Sequence, residues 1–383
     1  MRKNAKRAGD ATLAIHAGQE KFGIGASVGV EIVRTANFTF ANTEEMKRWA
    51  QGKSSAYIYT RYGNPTLAVA EKKLAALEGA EAAVVAASGM AAISSSLLAV
   101  LKAGDEVIAT RQVYGGTYRL MRDVFPRMAI VVRHVESDLS GIERLVNPRT
   151  KALYIETPTN PTLRLVDLRK AIAFAKEWDL ISLIDNTFAS PVLQKPIEMG
   201  FDIVLHSATK YLAGHSDVIA GAAAGSQALM RKVRDMIINL GGSMDPEAAF
   251  LLIRGMKTLE VRVQQQCATA MIVARYLAKH PKIARPLSRP ALASGSSAGE
   301  TANARLRRHV CVRPKRRTVR GTPFLRPHAN FPARGQSGRS RIARGSTDLY
   351  LALQYVACGI ARGRSRTGNG SCFSGPRRSG RPH

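Results

Sequence analysis

The sequence predicts an α/β fold, with a mostly parallel sheet and helices on both faces. In the middle of the chain, short apolar runs rich in β-branched residues alternate with helical stretches such as 168–178. This alternation is typical of parallel strands joined by crossover helices. The runs predict strands at 82–86, 107–109, 130–132, 153–155, 181–184 and 203–205.

An amphipathic helix precedes the alternating region. Leu67, Ala70, Leu74 and Leu77 recur at helical spacing on one face, and Gly79 provides a C-terminal stop. The segment before it predicts an extended arm with a short helix, and the spacing after residue 246 is helical again. We therefore divide the chain into an N-terminal arm (1–50), an α/β cofactor-binding domain (51–245), the helical start of a C-terminal domain (246–284) and a tail (285–383).

The net charge of +29 comes mainly from the tail. From residue 285 onward the chain holds 20 arginines, one lysine and two acids, whereas the preceding part mixes both charge signs as globular enzymes do. Nucleic-acid binding through a basic tail would need aromatic residues between the charges. The tail has few, so we expect no nucleic-acid partner and keep a basic nucleic-acid-binding protein as a remote alternative.

Membrane, metal and export signals are weak. The uncharged segment 82–101 is long enough to span a bilayer, but its serines and Gly89 favour a buried strand turning into a buried helix. The four cysteines show no metal-ligand or disulfide spacing. No apolar stretch follows the basic start, so we expect a cytoplasmic protein without a metal site.

The most informative residues follow two neighbouring predicted strands. Lys210 comes after the strand at 203–205, and Asp185 comes at the end of the strand at 181–184. The carboxyl ends of parallel strands open onto one crevice. A lysine there can form a Schiff base and an aspartate can hold a protonated pyridine nitrogen, which pyridoxal phosphate requires. Either residue alone would be explained by a surface lysine or a helix N-cap; the pair favours the cofactor.

A phosphate site is predicted where the strand at 82–86 turns into a helix. Ser88, Gly89 and Met90 occupy the turn, and main-chain amides at a helix start attract anions. Ser207 and Thr209 would add hydroxyl donors from beside Lys210. Small residues at such a turn can also reflect tight packing alone.

Four further residues have positions suited to the same cofactor. Tyr114 could stack on its ring and Asn160 could bond its ring hydroxyl, while arginine suits bidentate phosphate binding at Arg61. A partly buried tyrosine, a proline turn and an exposed loop arginine explain these residues equally well when each is taken alone. Tyr59 lies two positions before Arg61.

Taken together, these segments resemble the Cys/Met-metabolism family of pyridoxal-phosphate enzymes, which includes cystathionine γ-synthase, cystathionine γ-lyase, methionine γ-lyase and homoserine-ester sulfhydrylases. The resemblance runs from about residue 16 to about residue 281. The matching blocks are YTRYGNPT (59–66), ASGMAA (87–92), VYGGT (113–117), ETPTNPT (156–162), DNTFASP (185–191), SATKYLAGHSD (207–217) and RGMKTLEVR (254–262).

This resemblance implies the fold type I of pyridoxal-phosphate transferases and a role for each site residue. Lys210 would carry the cofactor and Asp185 would pair with its pyridine nitrogen. Tyr114 would stack on the ring and assist proton transfer. Phosphate binding would fall to Gly89, Met90, Ser207 and Thr209, with Tyr59 and Arg61 reaching the phosphate of a neighbouring subunit. A homotetramer built from active dimers is implied.

The family's reactions share loss of a γ-substituent and differ in the fate of the remaining carbon skeleton. The YGGT block resembles the cystathionine branch, whereas methionine γ-lyases typically carry a cysteine where Gly116 stands. We expect γ-replacement on an activated homoserine ester with cysteine, as in methionine biosynthesis. Cystathionine or methionine γ-lyase and homoserine-ester sulfhydrylase activities are the alternatives, and an inactive paralogue is a remote one.

The tail does not resemble the family's β-rich C-terminal domain. From Arg285 onward Arg, Pro, Gly and Ser dominate, as in GC-rich DNA read out of frame, and no RLSVGxE-like block supplies a substrate-carboxylate arginine. We therefore expect that 285–383 is the product of a shifted reading frame. Loss of that domain would expose apolar surface on the preceding helices and leave this chain weakly active or inactive.

Overall fold

The computed structural model describes residues 8–19, 27–160 and 162–279, together with the backbone of Ile283–Pro286 and Val312–Pro314. The chain divides into two compact units, Met1–Arg326 and Pro327–His383, and every described residue belongs to the first. Apart from those two short strands, the proposed frameshifted tail lies outside the described residues.

Helices and strands alternate through the centre of the chain. The helices are α1 Asp10–His16, α2 Thr43–Ala50, α3 Pro65–Glu78, α4 Gly89–Val100, α5 Gly115–Arg119, α6 Leu168–Glu177, α7 Ser190–Leu193, α8 Pro196–Met199, α9 Gln227–Leu240, α10 Pro246–Met256 and α11 Leu259–Ala278. The strands are β1 Ala82–Ala86, β2 Glu106–Thr110, β3 Val131–Val135, β4 Thr150–Glu156, β5 Ile181–Asp185, β6 Ile203–His206, β7 Gly221–Gly225, β8 Ile283–Pro286 and β9 Val312–Pro314. Short 3-10 and π segments follow α5 and β3, at Leu120–Val124, Phe125–Met128 and Ile142–Leu145.

The central sheet has seven strands in the order β1-β7-β6-β5-β4-β2-β3. Five neighbouring strands of this sheet, β6, β5, β4, β2 and β3, run parallel. Strand β7 is antiparallel to both of its neighbours, β1 and β6. Strands β8 and β9 form a separate antiparallel pair. The prediction of a mostly parallel sheet is confirmed, and all six predicted strands are present.

Strand residues alternate between the two faces of the sheet, and helices cover both faces. One face packs against α4 and α9 through residues such as Leu205, Met230 and Val233. The other face contacts α3, α10 and α11 beside β1 and β7, and α6 beside β4 and β5. The polar ends of the strands are therefore held on a rigid, close-packed frame.

The sequence raised the question of a membrane span at 82–101 and predicted exposed apolar surface on the helices before the tail. The uncharged segment 82–101 forms β1 and α4, and none of the helices described here is long and apolar enough to cross a bilayer. Helix α11 presents Val261, Ile272 and Tyr276 to solvent, with exposed fractions of 70%, 69% and 67%. These side chains lie on the helix before the tail, and the loss of a domain that would cover them stays a prediction.

A charged cluster fixes the amino-terminal edge of the sheet. Glu106, fully buried at the start of β2, accepts hydrogen bonds from Arg133, from Asn147 Nδ2 at 2.8 Å and from Arg149 Nε at 3.0 Å. These donors stabilise the ionised form and lower the pKa of Glu106 to about 2. Three segments of chain are joined at this one carboxylate.

Acid should weaken this cluster. The folded-state pKa of Glu106 lies below its unfolded value, roughly 4.3, so its stabilisation is present above that pH and is lost as the pH falls toward 2. Because both arginines reach solvent, we expect Glu106→Gln to cost about 1–2 kcal/mol of unfolding free energy at pH 7. Urea titrations at pH 7 and pH 3 should show this difference shrinking at the lower pH; an equal difference at both would contradict the assignment.

Candidate active site

The carboxyl ends of β4, β5 and β6 bring the predicted site residues to one edge of the sheet. In the strand register Glu156 lies opposite Asp185, and Asp185 lies opposite Leu205 on β6. Lys210 follows β6 in a turn that its main-chain amide closes on the Ser207 carbonyl, at 3.0 Å. The Asp185 side chain is buried and Lys210 is exposed, so an acid lines the floor and an amine the rim of the crevice.

Thr187 joins the ends of β5 and β6. Its main-chain amide donates to Asp185 Oδ1 at 3.0 Å, and its Oγ1 accepts a hydrogen bond from the Ser207 amide at 2.8 Å. The carboxylate and the turn that carries Lys210 are thus linked through a single residue. Thr187 lies within the DNTFASP block, but sequence reasoning assigned it no role.

The floor of the crevice contains two buried carboxyl groups that have no lysine or arginine partner among the described residues. Asp185 and Glu156 have exposed fractions of 5% and 3%, and within the described ranges neither has a lysine or arginine at ion-pair distance. Burial raises the pKa of both, and their mutual repulsion raises that of Glu156 further. Buried charges are ordinarily paired, so this floor suits a ligand that brings a positive charge.

The first turn of α4 forms an anion cradle beside this floor. Ser88 is the N-cap, and its Oγ accepts from the Ala91 amide at 3.1 Å, while the geometry of a helix start leaves the amides of Gly89 and Met90 without partners inside the helix. A Cβ on Gly89 would lie 2.8 Å from Ser207 Cβ. Only glycine lets the start of α4 approach the Lys210 turn this closely. The main-chain amides of Gly89 and Met90 are available there to a phosphate.

Tyr114 lies next to this cradle. It precedes α5, and its side chain is 47% exposed. A Cβ added to Gly116 would lie 2.5 Å from Tyr114 Cε1 and 2.8 Å from Met90 Sδ. The tyrosine ring therefore occupies the space above a residue without a side chain and faces the helix start.

Two predicted ligands have main-chain or side-chain partners of their own. The Asn160 amide donates to Glu156 Oε1 at 3.0 Å, which fixes the loop after β4. The Thr209 hydroxyl donates to the Ala220 carbonyl at 3.1 Å and accepts from the Ala220 amide at 2.8 Å. Its single proton is used within the chain, so Ser207 has the more available hydroxyl for an anion.

Tyr59 and Arg61 contact another part of the chain. The Arg61 guanidinium lies 5.4 Å from the Tyr59 ring centroid and 4.8 Å from that of Tyr62, and Nη1 donates to the Ile238 carbonyl at 3.3 Å. This contact is with α9, and no described hydrogen bond joins Arg61 to Lys210 or Asp185.

A buried polar network supports Asp185 from the opposite face of the sheet. His206 Nε2 lies 2.6 Å from Glu78 Oε1, and both side chains are almost fully buried. Asn186 Nδ2 donates to Glu78 Oε1 at 3.2 Å and to the Gln194 carbonyl at 3.1 Å. Helix α3 is thereby tied to the residues that flank Asp185 and Ser207, which sequence patterning alone did not predict.

Arg262 holds the far end of the Lys210 turn. From α11 its guanidinium donates to the carbonyls of Tyr211 at 2.9 Å and Gly255 at 2.7 Å, so one side chain joins this turn to α10 and α11. A Cβ on Gly214 would lie 2.0 Å from Nη1, so this glycine is required for the close approach. Arg262 and Gly214 both lie within the family blocks, but their sequence positions did not predict this contact.

Comparison with known proteins places these features in a family. The model of Cys/Met metabolism PLP-dependent enzymes matches residues 11–308. The chain belongs to this family. The match continues past the end of the resemblance near residue 281, and residues 309–383 lie outside it. The predicted family, enzyme class and cofactor are confirmed.

Several members of the Cys/Met-metabolism family are similar to the chain over most of its length. An L-methionine gamma-lyase of Fusobacterium nucleatum is 42% identical over 73% of this chain and 71% of its own. Cystathionine gamma-synthase 1, chloroplastic, of Arabidopsis thaliana is 41% identical over 73% of this chain and 51% of its own. A Campylobacter jejuni structure, assigned as an O-acetylhomoserine (thiol)-lyase, contains a pyridoxyl-lysine phosphate; it is 29% identical, with a TM-score of 0.70 over 75% of this chain and 79% of its own.

The residues present in the crevice fit pyridoxal phosphate. A protonated pyridine nitrogen would supply the cation that the buried carboxyl groups lack, and the start of α4 offers amides to a phosphate. The exposed Lys210 amine stands at the rim, where an aldehyde can reach it. Within the described residues, no cluster of His, Cys, Asp and Glu could hold a metal ion.

Proposed function

We propose that the chain catalyses γ-replacement, in which the thiol of cysteine replaces the acyloxy group on Cγ of an activated homoserine ester and the thiol proton is released. The observation that carries this choice is the glycine at position 116. The Tyr114 ring occupies the space that a side chain there would need, 2.5 Å from a built Cβ. The methionine γ-lyases of the family typically have a cysteine at this position, so Gly116 favours the cystathionine branch.

The chemistry divides between the cofactor and three side chains. Bound pyridoxal phosphate draws electrons from the amino-acid substrate and makes its Cα proton acidic. The Lys210 amine takes that proton and returns it, and Asp185 holds the pyridine nitrogen protonated from the floor. Tyr114 moves a proton at Cβ or Cγ as the bond from Cγ to the ester oxygen breaks and the bond to sulfur forms. The acyl group leaves as a carboxylate.

The remaining predicted ligands hold the cofactor in place. Ser88, Gly89 and Met90 would bind the phosphate at the start of α4, with Ser207 adding a hydroxyl. Thr209 would contribute only if its bond to Ala220 opens. Asn160 would bond the ring hydroxyl from the loop after β4.

A product assay separates the three candidate reactions. The chain, loaded with pyridoxal phosphate, is given acetyl or succinyl homoserine with cysteine, the same esters with sulfide, and methionine or cystathionine alone. We expect cystathionine from the first mixture. Homocysteine from ester and sulfide would instead support a sulfhydrylase, and a 2-oxo acid from methionine or cystathionine alone would support a γ-lyase, the activity named for the Fusobacterium relative.

We also propose that each active site is completed by a second copy of the chain, within a homotetramer built from dimers. Tyr59 and Arg61 lie in a segment before the sheet, and the Arg61 guanidinium donates to the Ile238 carbonyl of α9. Arginine binds phosphate through two parallel hydrogen bonds.

The cysteines, which lack the spacing of a disulfide framework, support a cytoplasmic location.

Mixing two inactive variants tests the shared site. Arg61→Ala and Lys210→Ala chains are each expected to have low activity, because one lacks a phosphate ligand and the other the cofactor lysine. In a mixed dimer one of the two sites has both residues, so about a quarter to a half of the wild-type activity per site should return. Mixed dimers verified by mass spectrometry that show no recovery would contradict the proposal.

We further propose that residues 285–383 are translated from a shifted reading frame. The tail has 20 arginines for a single lysine, and residues 309–383 lie outside the family match, which itself extends into the proposed segment as far as residue 308. Translating the gene beyond codon 285 in its other two frames should produce alternating β patterns and an RLSVGxE-like block. If neither frame contains them, the tail must be a genuine basic extension, and the product assay applies to the chain as it stands.

A further inference from the structure

Glu156 has contacts that none of the roles described so far uses. It is the last residue of β4, its exposed fraction is 3%, and it lies directly opposite Asp185 in the strand register. A buried carboxyl group is costly unless its oxygens are hydrogen-bonded. Both oxygens of Glu156 are bonded, and the donors are main-chain amides.

The two donors belong to two different loops of the site. The Tyr114 amide donates to Oε2 at 2.6 Å, and the Asn160 amide donates to Oε1 at 3.0 Å. Tyr114 follows β2 and lies 42 residues before Glu156, whereas Asn160 lies four residues after it. One carboxyl group thus joins the loop that carries the aromatic ring to the loop that carries the amide side chain.

Besides Glu156, the Tyr118 amide bonds the main chain of Tyr114, donating to its carbonyl at 2.9 Å. Tyr114 precedes α5 without a side-chain capping bond, and Gly115 and Gly116 follow it. The two loops have a second link, in which Gln112 Oε1 accepts hydrogen bonds from Thr159, at 3.3 Å, and from Thr162. This link joins side chains, whereas Glu156 holds the main chain of both loops directly.

We propose that Glu156 is a positioning residue: its carboxyl group holds the main chain of Tyr114 and of Asn160, and so fixes the aromatic ring and the amide side chain against the bound cofactor. The proposal rests on the assignment of these two residues to the pyridoxal phosphate site. It adds that Glu156, at the end of β4, sets the positions of Tyr114 and Asn160.

Glu156→Gln tests the proposal because glutamine keeps the volume but has only one acceptor oxygen. Its NH₂ group would face one of the two amides, so one loop should detach. In the cofactor-free protein we expect the amide of Tyr114 or Asn160 to exchange its hydrogen about tenfold faster, measured by fragmentation mass spectrometry. In the loaded protein we expect the Kd for pyridoxal phosphate to rise about tenfold and the visible circular dichroism of the bound cofactor to change.

Glu106→Gln is the matched control. It removes another buried glutamate from the neighbouring strand β2, at the opposite edge of the sheet, and should lower stability without changing the Kd, the visible spectrum or exchange at Tyr114 and Asn160. Glu156→Asp keeps the charge with a shorter reach and should give an intermediate Kd. If Glu156→Gln does not fold, Glu156→Asp carries the same three measurements.

The outcomes separate this inference from the proposed function. Wild-type protein that does not bind pyridoxal phosphate at Lys210 would refute the proposed function, and amide exchange in the cofactor-free protein would still test the hydrogen bonds of Glu156. Wild-type protein that binds the cofactor, with unchanged exchange, Kd and dichroism in Glu156→Gln, would overturn the inference alone. Equal spectral changes in Glu106→Gln would show a general loss of structure and also overturn it.

Discussion

Lys210→Ala is expected to lower turnover by about 10³-fold or more, because in the proposed function the same amine carries the cofactor and moves the substrate's Cα proton. Its position in the turn after β6, beside the buried Asp185, motivates this prediction. Phosphate contacts at the start of α4 do not involve the lysine, so weaker, non-covalent cofactor binding should remain. Steady-state kinetics and a cofactor titration measure the two effects.

The covalent link itself can be located by borohydride reduction followed by peptide mapping. A pyridoxyl group should be found on Lys210 in the wild type and on no lysine in Lys210→Ala. Lys232→Ala, an exposed lysine on α9, is the matched control and should behave as wild type. A label on any other lysine of the wild-type protein would refute the assignment.

Asp185→Asn is expected to lower kcat by about 10²–10³-fold, because a neutral amide cannot hold the pyridine nitrogen protonated. Asparagine keeps an oxygen for the Thr187 amide, which donates to Oδ1 at 3.0 Å in the wild type. The variant should therefore fold normally. Asp179→Asn, exposed after α6, should leave kcat unchanged, and an unaffected kcat in Asp185→Asn would exclude the pyridine role.

Asp185→Asn should also raise the unfolding free energy of the cofactor-free protein. Burial raises the pKa of Asp185, so folding favours its protonated form. The ionised form therefore costs stability above the unfolded pKa of roughly 3.9, and the cost grows as the pH rises toward the folded-state pKa. Urea titrations of the cofactor-free proteins should show Asp185→Asn more stable than wild type at pH 7 and nearly equal to it at pH 4. A less stable variant at pH 7 would contradict this account.

Much of the fold followed from local sequence patterns. The strands with β-branched apolar runs and the helix with Leu67, Leu74 and Leu77 on one face were predictable because burial imposes their periodicity. The side-by-side placement of β5 and β6 was predictable because consecutive strands of a parallel sheet tend to be neighbours. That placement is why Asp185 and Lys210 could be paired from sequence.

Other features depend on contacts between distant residues. Glu78 and His206 meet across 128 residues of sequence, and Arg262 reaches carbonyls about 50 residues earlier. No local periodicity marks such partners. Glu156 and Thr187 gave a weaker signal, because each is a polar residue at or just after the end of a strand, where site residues collect. Their main-chain partners could be identified only from the structure.

Strand β7 was not predicted, because Gly-Ala-Ala-Ala-Gly has few features of a strand. The glycines of β7 are explained by close contacts with other main-chain segments. A Cβ on Gly221 would lie 1.9 Å from the Ser88 carbonyl oxygen, and one on Gly225 would lie 2.4 Å from the Asp202 carbonyl oxygen. Small residues are needed here because other main-chain segments come this close.

This crowding constrains how the gene can change over generations. Ser88 caps the helix whose first amides form the anion cradle, so a larger residue at Gly221 would push that cap away from Ser207. A library randomised over β7 and screened for retention of pyridoxal phosphate should return glycine at 221 almost without exception. Gly221, which has no side chain at all, is then expected to vary among descendants of this gene as little as the proposed cofactor lysine.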